Sequence, residues 1–384
     1  MKKLKIILSY VLVAVIASMV TLSVFCEAPE AEYSKLDELD NLIETYFIGQ
    51  ADRADMEDAA AAAMVDSLGD QWSYYMTASE YQAYLEQMRN AYVGIGITIT
   101  VTEGESGLEV IKVNEGGPAD EAGMLAGDII IAVEGQDVTG MTTTEARDLV
   151  RGKEGTQVLI GIRRGSETLE LSVTRKTVET PVAEWKLLEG SIGLVTIYNF
   201  DDRCSDETIA AIEHLLEQGA QALVFDVRNN PGGYKDELVK VLDYLLPEGP
   251  LFRSEDYRGR IQVDESDAQC LEIPMAVLIN GDSYSAAEFF AAALDEYDAA
   301  IVVGEKTSGK GYFQSAFNLQ DGSALNLSIG KYTTPNGVCL ADVGITPEIL
   351  VEVDEETAFL IYAGTLDPAE DPQILAAIEA LKAQ

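Results

Sequence analysis

The sequence predicts a multidomain protein of mixed α/β (α+β) class, and three observations support this expectation. The chain has 384 residues, enough for about two or three domains. An apolar N-terminal run is followed by an acidic stretch with helical periodicity, roughly residues 31–90. The pattern then changes to short strands and turns at residues 91–178, and to alternating strands and helices at residues 179–355. Residues 356–384 complete the chain as a helical tail.

The N-terminus predicts a signal anchor over residues 1–30. Three lysines, at positions 2, 3 and 5, precede a nearly uninterrupted apolar run from Ile6 to Phe25. As a helix this run spans about 30 Å, the thickness of a bilayer core. The flank Val24-Phe25-Cys26-Glu27 lacks a small-x-small cleavage site, which favours an uncleaved anchor over a cleaved signal peptide and secretion. Positive charge before the run places the remaining chain outside the cytoplasm.

Hydrophobic periodicity predicts the elements of the larger domain. The predicted strands are Ile192–Ile197, Ala222–Val227, Met275–Ile279 and Ala300–Val303, with further strands between Tyr312 and Tyr332. The predicted helices are Asp206–Glu217, residues 235–246, Ala286–Leu294 and Asp371–Lys382.

Composition excludes several classes of function. The formal net charge is -40, so the surface repels nucleic acid and is typical of a highly soluble protein. The single histidine, His214, excludes a zinc site built from several imidazoles. His214 lies in a predicted amphipathic helix, which favours a surface position over membership of a Ser–His–Asp triad. The four cysteines have no metal-ligand spacing, and we expect no cofactor.

A candidate nucleophile lies where a buried strand gives way to a helix, in the segment from Asn280 to Glu288. A hydroxyl at a helix N-terminus is close to free N–H groups, which can hold the oxyanion formed when serine attacks a carbonyl. Ser285-x-x-Glu288 is also a capping box, so the segment alone favours a structural cap over a catalytic role.

A candidate base lies in the segment Gly304–Gly311. This segment nearly fits the phosphate-binding pattern GxxxxGK[ST], but Gly311 replaces the hydroxyl that binds magnesium. The residues from Tyr312 to Leu319 do not have the helical pattern that a nucleotide loop requires. Lys310 is therefore either a solvated loop lysine or a catalytic amine.

A glycine-rich turn follows another buried strand. Gly232 and Gly233 close the sequence Asn229-Asn230-Pro231-Gly232-Gly233, where paired glycines let the backbone approach a ligand. An ordinary strand-to-helix turn is the alternative. All three segments follow predicted strands, at whose carboxyl ends open α/β sheets bind ligands. Together they provide a hydroxyl, an amine and backbone donors, and burial would lower the pKa of the lysine enough for it to act as a base.

The motifs of the chain resemble those of the carboxyl-terminal processing peptidases, also called tail-specific proteases, from residue 31 onwards. The segments that carry the resemblance are Ser67–Asp70, Tyr92–Ile97, Gly117–Ala119, Ala122–Asp128, Asp226–Gly233, Ser283–Glu288, Gly304–Gly311 with Gln314, Tyr332–Gly337, Gly344–Pro347 and Asp371–Gln373. The resemblance implies a PDZ domain over residues 91–178, inserted before a serine peptidase core that has a mixed β-sheet and helices.

The resemblance also implies roles for particular residues. Its nucleophile position is Ser285 rather than Ser283, and its base, 25 residues later, is Lys310 rather than Lys306. Gln314 would orient the lysine.

Backbone N–H groups of Ala286 and of Gly232 or Gly233 would form the oxyanion hole. Val93, Gly94, Ile95, Gly96 and Ile97 would form the peptide-binding loop of the PDZ domain. Three positions depart from the family pattern: Ala287 replaces a serine, Glu296, beside Asp295, replaces an aspartate, and Glu348 replaces the aspartate that often follows Pro347.

The expected function is thus that of a membrane-anchored extracytoplasmic endopeptidase. It would recognise protein C-terminal tails through the PDZ domain and hydrolyse peptide bonds with a Ser–Lys(–Gln) site. Its expected partners are protein or peptide substrates, the membrane, and a second copy bound through the N-terminal helices and the C-terminal tail, but not nucleic acid. A catalytically silent PDZ scaffold and a nucleotide-binding enzyme are the alternatives.

Overall fold

The computed structural model describes residues 34–102 and 107–383. The predicted signal anchor lies outside these residues. None of the helices in the described ranges is both long and apolar enough to span a bilayer. The chain divides into two compact units, residues 1–67 and 68–384.

The described part of the first unit consists of two helices, α1 (Lys35–Tyr46) and α2 (Arg53–Asp66). Each begins at a side-chain cap: Ser34 accepts the N–H of Asp37, and Asp52 accepts that of Ala54. These helices agree with the helical periodicity of the acidic stretch.

The second unit starts with a short strand, a helix and the domain that was predicted to be rich in strands and turns. Its elements are β1 (Tyr74–Met76), α3 (Ala78–Met88), β2 (Ala91–Gly94), β3 (Ile97–Val101), β4 (Leu108–Val113), α4 (Pro118–Glu121), β5 (Ile129–Val133), β6 (Gln136–Asp137), α5 (Thr143–Val150), β7 (Gln157–Arg164), β8 (Glu167–Thr174) and β9 (Lys176–Glu179). Strands β3, β4, β5, β7 and β8 form an antiparallel sheet in that order, with β3 at one edge. Strands β2 and β9 pair with each other where the chain enters and leaves this domain.

The larger domain follows. Its elements are β10 (Ala183–Leu188), β11 (Ile192–Ile197), α6 (Cys204–Glu217), β12 (Ala222–Asp226), α7 (Lys235–Leu245), β13 (Gly249–Asp256), β14 (Ile261–Ser266), β15 (Met275–Ile279), α8 (Ala286–Glu296), β16 (Ala300–Gly304), β17 (Tyr312–Asn318), β18 (Ala324–Thr333), β19 (Ile349–Leu350), α9 (Glu355–Tyr362) and α10 (Pro372–Lys382).

A six-stranded sheet, in the order β10-β11-β12-β15-β16-β19, forms the centre of this domain. All neighbouring strands are parallel except β10, which is antiparallel to β11. Alternation along β12 sends Leu223 and Phe225 to the face covered by α6, α7 and α8, and Val224 to the face covered by α10. Both faces are therefore buried, and the predicted helices and strands agree with the structure to within about two residues.

A second sheet was not fully predicted. Strand β18 pairs with β1, β13 and β17, and β14 extends the sheet beyond β13. The sequence pattern did not predict β13 and β14 of this sheet, nor β10 of the central sheet. Residues of β13 pair with strand β18, far along the chain, so local periodicity does not specify them.

Candidate active site

Ser285 occupies a strained turn between strand β15 and helix α8. Its backbone has φ 57° and ψ -126°, a left-handed conformation that a residue with a side chain rarely adopts. Ser285 is only 5% exposed. The neighbouring Ser283 is buried, and its hydroxyl donates a hydrogen bond to Val227 O at 2.7 Å. Through this hydrogen bond, Ser283 connects the turn to the end of strand β12.

Glu288, in the first turn of α8, connects this turn to the lysine segment. The residue is fully buried, and Oε2 accepts the backbone N–H groups of Ser285 and Lys310. Its other oxygen, Oε1, accepts the hydroxyl of Thr307 at 2.6 Å and the N–H of Gly309 at 2.8 Å. Burial raises the pKa of Glu288, and these hydrogen bonds oppose the rise. Glu288 therefore caps the helix, as the sequence predicted, and also connects the Ser285 turn to the Lys310 loop.

Lys310 lies in the loop between β16 and β17, with its amine against aromatic rings. Nζ is 4.6 Å from the ring centroid of Trp72 and 5.6 Å from that of Tyr284. Burial lowers the pKa of Lys310 to about 8, although the charges of Glu288 and Asp70 favour the protonated form. Such an amine is neutral often enough near neutral pH to accept a proton.

Strand pairing brings Trp72 to this place. Tyr74 in β1 pairs with Asn326 in β18, and the amide of Asn326 donates to Trp72 O at 3.3 Å. Asp70 accepts the hydroxyl of Ser73, whose oxygen accepts the N–H of Ser328 at 2.9 Å. The segment before β1 is thereby fixed beside the lysine loop.

Among the described residues, the side chain of Gln314 forms no hydrogen bond with the amine of Lys310. Its Nε2 donates to Tyr312 O at 3.1 Å and to the hydroxyl of Ser328 at 3.0 Å. Across the described ranges, no hydrogen bond joins Ser285 Oγ to Lys310 Nζ. The structure therefore brings the loops of these residues together without a hydrogen bond between the two reactive groups.

The glycine turn packs directly against the nucleophile. Gly232 has φ +90°, and a Cβ at this position would lie 2.7 Å from Ser285 Cβ and 2.9 Å from Ala286 N. The N–H of Gly232 is donated to Asn230 Oδ1 at 2.8 Å. Gly233 and Ala286 donate their N–H groups to no acceptor in the described part of the chain. Ala286, which follows Ser285, and Gly233, which follows Gly232, thus each have an unpaired backbone N–H among the described residues.

Asp201 lies on the other side of the same turn. It is 4% exposed, and a Cβ on Gly233 would lie 2.6 Å from its Oδ1. Within the described residues this oxygen has no hydrogen-bond partner. Burial, together with the charge of Asp202, raises the pKa of Asp201 to about 7.

Within the described residues, Glu296 forms no hydrogen bond with Ser285 or Lys310. Its carboxylate accepts the hydroxyl of Thr334 and the N–H of Asn336. It therefore fixes the turn after β18. His214 is exposed on α6, with its ring 5.2 Å from that of Trp185, which confirms the surface position predicted for it.

A groove in the smaller domain runs between the edge strand β3 and helix α5. It has a volume of about 340 Å³ and is mostly apolar, with Ile97, Leu108 and Val150 in its lining. Gly94, Ile95 and Gly96 also line it, whereas Val93 does not and pairs with Thr177 in β9.

Sequence reasoning missed two parts of this site. It identified Glu288 only as a helix cap, and the buried position of the carboxylate between two loops has no local signature. It assigned no role to Trp72. Tyr284 could have been noticed because it directly precedes Ser285, whereas Trp72 reaches Lys310 through the β1–β18 pairing.

Comparison with known proteins agrees with this geometry. The model of peptidase family S41 matches residues 191–351, and a PDZ domain model matches residues 109–164. The carboxy-terminal processing protease CtpA of Bacillus subtilis is 29% identical over 367 residues, which cover 92% of this chain and 78% of that protein. A CtpA-like serine protease of Staphylococcus aureus is 29% identical over 340 residues, covering 88% of this chain and 68% of that one.

A solved structure shares the fold. An S41 protease from Bacteroides fragilis is 17% identical and superposes with a TM-score of 0.55, over 92% of this chain and 98% of that one. Ser285, Lys310 and the glycine turn all fall inside the segment matched by the peptidase model. Residues 191–351 thus form a serine peptidase domain of family S41, residues 109–164 lie in a PDZ domain, and the relatives that match most of the chain are carboxy-terminal processing proteases.

Proposed function

We propose that this protein is a membrane-anchored, extracytoplasmic endopeptidase that binds C-terminal tails in the PDZ groove and cleaves with Ser285 and Lys310. The observation that carries the proposal is the shared acceptor: Glu288 Oε2 binds the backbone N–H groups of both residues. This contact holds the two loops side by side. The low pKa of Lys310, about 8, supports its role as a base.

In the proposed reaction, neutral Lys310 takes the proton of the Ser285 hydroxyl as Oγ attacks the peptide carbonyl. The N–H groups of Ala286 and Gly233 stabilise the oxyanion, because that of Gly232 is already bound to Asn230. The protonated amine then donates its proton to the leaving nitrogen. Water, deprotonated by the again neutral Lys310, attacks the acyl-enzyme, and the protonated amine returns this proton to Ser285 Oγ as the ester bond breaks.

Substrate binding must first bring the amine to the nucleophile. Lys310 Nζ lies over Trp72, and Gln314 is bound to Ser328. Catalytic hydrogen bonds are often formed only in the substrate complex. In the proposed active state, Nζ hydrogen-bonds Ser285 Oγ and Gln314 turns to the amine.

The PDZ groove fits an extended peptide. An edge strand beside a helix can receive a further strand, and the apolar lining would accept an apolar C-terminal side chain. Free and C-terminally amidated peptides that are otherwise identical provide the test, by calorimetry on the full chain. Equal affinities would rule out recognition of the carboxylate.

Substitution of the proposed catalytic residues tests the chemistry. Ser285→Ala and Lys310→Ala should each abolish cleavage of an unfolded protein with an exposed apolar tail, and Ser285→Ala should also abolish labelling by a fluorophosphonate. Lys306→Ala, an exposed lysine in the same loop, is the matched control and should keep full activity. Full activity in Ser285→Ala would refute the assignment. A chain that binds tails but is neither labelled nor active would be a PDZ scaffold.

The proposed anchor rests on the lysines and the apolar run before residue 26. The full chain should remain with membranes after alkaline washing and be released by detergent. Protease added outside spheroplasts should digest the PDZ and peptidase domains. Recovery of a shortened chain in the medium would instead indicate a cleaved signal peptide.

A further inference from the structure

We propose that the C-terminal helix α10 holds the glycine-rich turn of the active site in place through an ion pair between Asp371 and Arg228. Asp371 would then be a positioning residue for peptide hydrolysis. This inference rests on the proposed function, because it assigns Asp371 to the same Ser285 site. It also gives a role to the Asp371-Pro372-Gln373 motif, which the proposed reaction at Ser285 and Lys310 does not use.

The two oxygens of Asp371 have different partners. Oδ1 caps α10 by accepting the N–H groups of Gln373 at 2.9 Å and Ile374 at 3.2 Å. Oδ2 lies 2.9 Å from Arg228 Nη1. The side chains of Asp371 and Arg228 are each only 3% exposed. The carboxylate therefore joins the start of the helix to a buried guanidinium.

Arg228 is surrounded by acceptors. Asp226 accepts from its Nε at 2.8 Å and from its Nη2 at 2.6 Å, and Gln373 Oε1 accepts from Nη1 at 2.8 Å. The nearby charges of Asp226 and Asp371 raise the pKa of Arg228 although burial opposes this. A buried guanidinium with these partners has a fixed orientation, since its planar donors match the carboxylates.

The helix is itself firmly attached. Ile374, Ala377 and Leu381 are buried on the face of the central sheet, among residues of β12, β15 and β16. The amide of Gln373 donates to Val351 O at 2.7 Å. Because the helix is anchored in this way, the position of Asp371 is set, and its carboxylate can orient the guanidinium of Arg228.

Arg228 directly precedes the glycine-rich turn that packs against Ser285. The N–H of the next residue, Asn229, is donated to Asn280 Oδ1 at 2.9 Å, and the amide of Asn280 returns a bond to Asn229 Oδ1 at 2.8 Å. Four residues beyond Arg228, the Cα of Gly232 packs on Ser285 and Ala286. A shift of Arg228 would therefore displace the backbone donors relative to Ser285.

The side chain of Arg228 is buried, and its polar contacts on this side of the turn are with Asp226, Asp371 and Gln373. Two cavities, of about 780 and 480 Å³, are lined in part by Arg228 and Asn229. Asp226, Asp371 and Gln373 are therefore the groups that locate the guanidinium.

The substitution Asp371→Ser tests the proposal, because serine caps a helix about as well as aspartate but cannot form the ion pair. We expect kcat to fall about 10- to 100-fold with KM changed less than about 3-fold, since a small displacement of oxyanion donors affects the transition state. Affinity for a peptide boronate, which forms a tetrahedral adduct with Ser285, should fall by a similar factor. Asp371→Asn keeps the cap but places an NH₂ group against Arg228 Nη1, so its loss should be at least as large.

The matched control is Asp354→Ser, at the exposed cap of helix α9. It should leave kcat and boronate affinity within about 2-fold of the parent. If Asp371→Ser lowers only the unfolding midpoint and leaves kcat and boronate affinity unchanged, the proposal is overturned. If that variant fails to fold, the same readouts on Asp371→Asn decide. Activity in Ser285→Ala would instead refute the proposed function itself, so the two failures are distinguishable.

Discussion

Ser285 and Lys310 share one hydrogen-bond acceptor, because Oε2 of Glu288 accepts their backbone N–H groups at 3.0 and 2.9 Å. The two residues are 25 positions apart, and their loops follow different strands. Glu288 is fully buried, so water cannot replace either bond. The separation of the two loops therefore depends on this carboxylate.

Glu288→Gln should weaken both stability and activity. Each oxygen of Glu288 accepts two hydrogen bonds. In glutamine an NH₂ group replaces one of these oxygens, so two of the four donors would face another donor. We expect a loss of about 2–4 kcal/mol in the free energy of unfolding and a lower kcat, measured by urea denaturation and peptide cleavage. Glu80→Gln changes the equivalent residue of the exposed capping box at α3 and should cost less than about 1 kcal/mol without affecting kcat. Equal effects of the two substitutions would contradict the linking role of Glu288.

The burial of Lys310 predicts the pH dependence of cleavage. The base must be neutral, so kcat/KM should rise with pH through the pKa of Lys310, about 8. Trp72→Ala exposes the amine to water, which raises this pKa and moves the rising limb to higher pH. A tenfold rise in the proton affinity of the amine lowers the rate at pH 7 about 10-fold. Trp72→Phe should keep the rising limb of the pH profile near its original position, and the exposed Trp185→Ala should not move it. An unchanged rising limb in Trp72→Ala would disprove the role of burial.

Gly232→Ala should inactivate the enzyme for a steric reason. The new Cβ would lie 2.7 Å from Ser285 Cβ at a φ of +90°, so the turn or the nucleophile must move. Gly219→Ala is a close control, because Gly219 has φ +89° with nothing within 4 Å of the added atom. We expect Gly219→Ala to cost about 1 kcal/mol of stability and no activity, and Gly232→Ala to lower kcat/KM at least about 100-fold. Retained activity in Gly232→Ala would show that the turn is not tightly packed on Ser285.

Asp201 should make the protein less stable as pH rises. Its pKa is about 7 in the folded protein and 3.8 is its ordinary value, so the folded state holds the proton more tightly. The stability that this proton contributes is present below pH 4 and is lost as pH rises through 7. Asp201→Asn should remove this slope and raise the free energy of unfolding at pH 8 by at most about 4 kcal/mol. Urea denaturation between pH 4 and 8 measures this slope, with the exposed Asp342→Asn as control. An unchanged slope in Asp201→Asn would exclude this titration.

Much of the fold could be predicted because its signals are local. Strands β12 and β15 are continuous apolar runs, and α6 and α7 have a clear helical period, so each was found to within about two residues. Strands β13 and β14 were not predicted. Their sequences alternate weakly. Strand β13 depends on pairing with the distant β18, and β14 on pairing with β13.

The sequence by itself determined which reactive groups the chain has and in what order they follow the strands: Ser285, Lys310 and the glycine turn, with one histidine on a surface helix. Only the tertiary structure decided how they relate. It placed the Glu288 carboxylate between two loops, Trp72 against the amine, and Gln314 on Ser328 instead of Lys310. It also joined Asp371 to Arg228. These contacts depend on burial and on hydrogen bonds between residues far apart in the chain, for which local patterns carry no signal.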